Sequence, residues 1–134
     1  MTRIILAFAL ALITLSACKK DETVAGYDGE KLWILTEIDG VEFAARATLL
    51  FGEDNKVTGQ APCNSFFTKQ TKPYPWIGFD PIGSTRMACP EMNKETLFFN
   101  TLGKMTLAEV SGDVMILSND SGRQMVFKAA PTDG

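Results

Sequence analysis

Apolar and polar positions alternate in short blocks along most of this chain, with turn residues between the blocks. Leu32 to Ile38 is apolar, β-branched or aromatic and ends at Asp39-Gly40, which predicts a strand and a turn. Ala47 to Phe51 predicts a second strand. Gly52-Glu53-Asp54-Asn55 turns it and Lys56 to Gln60 returns, so the pair reads as a hairpin. Residues 61–75 read as irregular, with Pro62, Pro73, Pro75, Asn64 and a polar tract from Thr68 to Lys72. Trp76 to Phe79 predicts a short strand that Pro81 stops. Pro90 to Lys104 predicts one helix: Pro90 suits the first turn, Glu91 its positive end, and Phe98, Leu102 and Met105 recur at helical spacing, with Leu97 and Phe99 widening the stripe. Three evenly spaced strands follow, Met105 to Val110, Val114 to Leu117 and Gln124 to Lys128, joined at Ser111-Gly112-Asp113 and Ser118 to Gly122. The tail from Ala129 to Gly134 is expected to fray. The sum is an α+β domain over 30–128, mainly antiparallel β. Its six to seven short strands are expected to curl into a partly closed barrel with the helix over one opening. Two packed sheets are the alternative.

The start of the chain has a different pattern. Arg3 precedes Ile4 to Leu15, an apolar run interrupted by Thr14 alone. A bilayer core needs about 20 apolar residues, so this run is too short to span and has the length of a secretory core segment. It ends in Leu15-Ser16-Ala17-Cys18. That box resembles the bacterial lipobox, and the resemblance implies cleavage after residue 17 and acylation of Cys18 with chains such as palmitate. Several acyl chains, at about 0.8 kcal/mol per buried CH2, anchor stably where one does not. Lys19 rather than Asp after the cysteine points, by the enteric sorting rule, to the outer membrane facing the periplasm. Residues 18–29 read as a flexible tether, whose coil spans roughly 17–20 Å.

Composition narrows the function. The chain has 134 residues, 46% of them apolar and 22% charged, which suits one globular domain. Its net charge of -3 offers no basic excess for phosphates, so nucleic acid is not an expected partner. It contains no histidine, which removes Ser-His and Cys-His nucleophile pairs and imidazole metal ligands. No cofactor and no metal are expected. Once Cys18 is lipidated, Cys63 and Cys89 remain in a compartment that permits disulfides. A bridge is the favoured reading; a metal site and a catalytic thiol compete with it. The first lacks imidazole and the second lacks a base.

The order of residues also resembles a known family. Trp33-x-Leu35-x-x-Ile38-x-Gly40 is followed by Leu49-x-Phe51, Val57-x-Gly59, Cys63-Asn64-x-Phe66, Ile77-Gly78 and Ile82-x-x-Thr85-x-Met87-Ala88-Cys89. Then come Glu95-x-x-Phe98-x-x-x-Leu102, Leu117, Gly122 and Phe127. This pattern is similar to the META domain, the HslJ-like family of bacterial envelope lipoproteins. The chain departs from it at Pro62, where the family usually has glycine. It departs again at Phe66 to Gln70, where the family continues Phe-x-Gly-x-Tyr. The resemblance implies a non-enzymatic envelope protein, associated with stress and with tolerance of hydrophobic drugs.

Three residues stand out as possible contacts. Asn64 could meet a partner or bond its own loop beside the bridge, and Thr85 is expected to bond backbone nearby. Tyr74 and Trp76, held between prolines, are either a contact surface or a lid over one end of the barrel. Ser65 and Lys69 are too bare of other signals to make a dyad. The leading expectation is a membrane-anchored protein that binds an envelope protein. A binder of a small apolar ligand in a barrel pocket and a periplasmic inhibitor of a lytic enzyme are the alternatives.

Overall fold

A computed structural model describes Val24 and residues 31–131. Among these residues nine strands and one α-helix follow in chain order: β1 (Trp33–Ile38), β2 (Val41–Glu42), β3 (Thr48–Phe51), β4 (Lys56–Gln60), β5 (Ser65–Lys69), β6 (Gly83–Ser84), α1 (Met92–Leu102), β7 (Leu107–Ser111), β8 (Val114–Ser118) and β9 (Gln124–Ala129), with a 3-10 turn at Glu53–Asn55. They form one antiparallel sheet in the order β6-β5-β4-β3-β1-β9-β8-β7, with β2 paired to β1. The chain order of the pairings follows from hairpins, except where β9 returns beside β1 and joins the two halves.

The sheet curls because its central strands are irregular where they must bend. Thr36 is an extra residue on β1 between Leu35↔Phe127 and Glu37↔Val126, and its hydroxyl donates to the Val126 carbonyl at 3.1 Å. At Gly59 the backbone of β3 comes so close that a Cβ would lie 2.0 Å from the Thr48 carbonyl and 2.5 Å from the Phe66 ring. Only glycine permits that approach. The β1–β2 turn uses Asp39 and Gly40, both at positive φ. Asp39 also clips the far end of the sheet: its carboxylate accepts from Gln124 N at 2.9 Å and from Arg123 Nε at 2.6 Å. The Gln124 N–H, and after it the Arg123 guanidinium, hold the Asp39 carboxyl below its ordinary pKa despite some desolvation.

The interior is filled by Trp33, Leu49, Met115, Leu117, Met125 and Phe127 from the sheet and Phe98 and Leu102 from α1, all fully buried. The helix turns Phe98 and Leu102 into this core. Phe66 meets Phe98 and Phe99 edge-on, with centroids 5.5 and 5.4 Å apart.

The sheet does not close by a ladder. Between β7 at one end of the sheet and β5, next to the other end, runs the segment Pro73–Ile77. Ala108 N donates to Pro75 O at 2.7 Å and Ile77 N to Thr106 O at 2.9 Å, so a short strap bridges the seam.

Several expectations change in detail. The segment 76–79 is not a strand but makes two isolated bridges, Trp76↔Leu107 and Gln70↔Phe79. Ser65–Lys69, read as irregular, is a full strand with five pairs to β4. Its inward positions are Phe66 and Thr68, so half of its inner face is polar and the alternation is weak. The helix starts after Glu91, so Pro90 lies outside it, and Leu97 faces solvent rather than widening the buried stripe. Β-structure continues to Ala129, where the tail was expected to begin. Finally, Val24 is 1% exposed and belongs to the core cluster. The domain therefore reaches back into the stretch read as tether, because an apolar side chain there finds the interior. Cys18 and the leader lie outside the described residues.

Candidate functional site

The corner between β4 and β5 holds the densest polar chemistry. Cys63 and Cys89 are bridged, with Cα atoms 5.6 Å apart across 26 residues of sequence. The bridge ties the β4–β5 corner to the loop that leads into α1. Asn64, beside it, is 3% exposed and fully engaged. Its Oδ1 accepts from Met87 N at 2.6 Å and from the Thr85 hydroxyl at 2.9 Å. Its Nδ2 donates to Met87 O at 3.0 Å and to Glu95 Oε2 at 2.8 Å. Thr85 thus bonds the Asn64 side chain, not backbone.

Glu95 completes the cluster, and sequence reasoning gave it no role of its own. It is 3% exposed, on the core-facing side of α1 with Phe98 and Leu102. Its Oε1 accepts from Cys63 N at 3.0 Å and Asn64 N at 2.8 Å. One carboxylate therefore takes three N–H donors from two consecutive residues. Charge-assisted bonds of this kind are about twice as strong as neutral ones. The signal that could have found it was plain: a carboxylate three residues before Phe98, on the apolar stripe, must be bonded if it is buried. The arrangement is structural. It locks helix, bridge and loop together and leaves Asn64 no free donor for a ligand.

A shallow cleft of about 320 Å³ opens above this cluster, between the 84–88 loop and the face of α1 that carries Met92, Thr96 and Phe99. Its floor is the bonded Asn64–Glu95 pair.

Tyr74 and Trp76 part company. Tyr74 packs against the core, and its hydroxyl accepts from Val110 N at 3.1 Å. It is part of the seam strap. Trp76 closes a turn, donating its N–H to Pro73 O at 2.9 Å, and leaves its side chain 57% exposed. So one ring of the pair seals and the other is presented.

The remaining candidates separate. Ser65 and Lys69 sit at opposite ends of β5, about 13 Å apart at strand rise, and make no dyad. Gln70 stands where the resembled pattern has tyrosine. It is 4% exposed and neither atom of its side-chain amide has a partner. Among the described residues no group of three or more His, Cys, Asp and Glu could hold a metal ion.

Comparisons with known proteins agree with this fold. The chain is similar in structure to a Burkholderia xenovorans protein solved by NMR: 21% identical, TM-score 0.65, covering 81% of this chain and 88% of that one. It is also similar to a crystal structure of a DUF4847-family protein from Bacteroides vulgatus, 8% identical with TM-score 0.60, covering 78% and 96%. At these identities the likeness speaks for the fold alone. No curated protein matches significantly. The family model of the META domain matches residues 28–132, which includes every strand, the helix and the bridged corner, and the chain therefore belongs to the META domain family.

Proposed function

We propose that this protein is a lipid-anchored envelope protein that works by holding a protein partner at its surface, without catalysis, under envelope stress or drug challenge. The lipobox-like Leu15-Ser16-Ala17-Cys18 supports the anchor. The observation that carries the binding is Trp76: a largely exposed indole on a strap pinned by backbone bonds to β7. A ring held in place loses little entropy on docking, and tryptophan is among the residues that dominate interface energy. The filled interior favours recognition on the outside over a ligand within the barrel.

Trp76→Ala should leave folding intact, since the side chain contributes little to the core, and should weaken partner capture at least about tenfold. The assay is capture from detergent-solubilised envelope by the wild-type protein, Trp76→Ala and Val41→Ala. Val41 is exposed in the β1–β2 hairpin, away from the strap. The reading predicts that Val41→Ala keeps the captured species and Trp76→Ala loses it. Equal capture by all three contradicts the assignment.

A further inference from the structure

We propose a second recognition site on the outer face of β3 to β6, built for a carboxylate-bearing sugar ring and separate from the Trp76 surface. The register places Leu50, Thr58, Phe67 and Gly83 in one row across these strands. Phe67 is 63% exposed. Its ring lies over Gly83, where a Cβ would come within 2.4 Å of it, so the missing side chain lets the aromatic lie flat on the sheet. One face of the ring is covered by backbone and the other is open.

Lys56 and Lys69 stand directly opposite each other one step along the same face. Like charges across an antiparallel pair are destabilising. Among the described residues neither lysine has an ion-pair partner. An anion between them would relieve the repulsion. Asp80 and Pro81 form the far wall of the groove, whose volume is about 340 Å³. The Asp80 backbone is fixed by Thr68 Oγ1 donating to its carbonyl at 2.8 Å and by its own N–H donating to Lys69 O at 2.9 Å.

These groups complement one chemistry. A pyranose can lay its C–H face on Phe67 and donate hydroxyls to the Asp80 carboxylate and Thr58. A carboxylate carried on a substituent of the same sugar can sit between the two ammonium groups. A bare anion would miss the aromatic, and a neutral sugar would miss the lysines.

The test is an amide NMR titration of the full chain in detergent with N-acetylmuramic acid, and with its two halves, N-acetylglucosamine and lactate. The proposal predicts perturbations at Lys56, Thr58, Phe67 and Lys69 with the whole molecule, and at least about tenfold weaker binding of each half. The variant Lys56→Gln/Lys69→Gln should lose the binding at least about tenfold. Its melting temperature should be unchanged or higher, because the like-charge pair is gone. Three results would each overturn the proposal: no perturbation, binding of either half as tight as the whole, or full binding by the double variant.

Discussion

Replacing Glu95 with Ala should destabilise the domain by about 3–5 kcal/mol, the range for breaking a buried, hydrogen-bonded charge cluster. Three donors lose their acceptor at once: Cys63 N, Asn64 N and Asn64 Nδ2. All three remain buried, and water does not replace the carboxylate cheaply. At this domain size the melting temperature should fall by more than about 12 °C. Glu95→Gln should lie between. It keeps one oxygen for the two backbone donors, but its amide nitrogen then faces the Asn64 amide nitrogen, donor against donor. Thermal melts of the three proteins check the order wild type, Gln, Ala. An alanine variant within about 1 kcal/mol of wild type would remove Glu95 from its central place.

Loss of the Cys63–Cys89 bridge, in the Cys63→Ser/Cys89→Ser variant, should cost about 3.5 kcal/mol for the loop it closes, or roughly 14–28 °C in melting temperature. The bridge and Glu95 hold the same corner. One fixes Cys89 to Cys63 covalently; the other fixes the next residue, Asn64, which in turn holds Thr85 and Met87. Their effects should therefore not add. A double-mutant cycle of Glu95→Ala with the bridge variant should show coupling of about 0.5–3 kcal/mol. Additivity within about 0.3 kcal/mol would mean that the two fastenings are independent.

Much of the sheet was legible because its strands obey a simple rule. Β8 and β9 bury every second side chain, as β1 does up to its bulge, and their turns carry Asp39-Gly40, Gly112 and Gly122 at positive φ, which the sequence signals directly. What stayed hidden lacks a matching alternation of residue type. Β5 turns Thr68 inward and Phe67 outward, so period-two reasoning saw a polar loop. Β2 and β6 have two residues each, below any periodic signal. The strap at Tyr74 to Ile77 has strand-like residues but spends them on a seam between elements far apart in sequence. The same divide holds at the site. The cysteines and Asn64 were visible from residue type and spacing. Glu95 was not, because its role depends on three donors that approach it from some thirty residues upstream. The split between Tyr74 and Trp76 needed the positions of Val110 and Pro73, which no local pattern carries.

The proposed function requires that the bridged β domain be carried on a lipid outside the inner membrane. Intact mass spectrometry of the chain purified from membranes under non-reducing conditions reads both parts at once. The expected species is a polypeptide that starts at Cys18, carries acyl mass on that residue and is two hydrogens lighter than its reduced form. A chain that still starts at Met1, with no acyl mass and all three cysteines free, would contradict it.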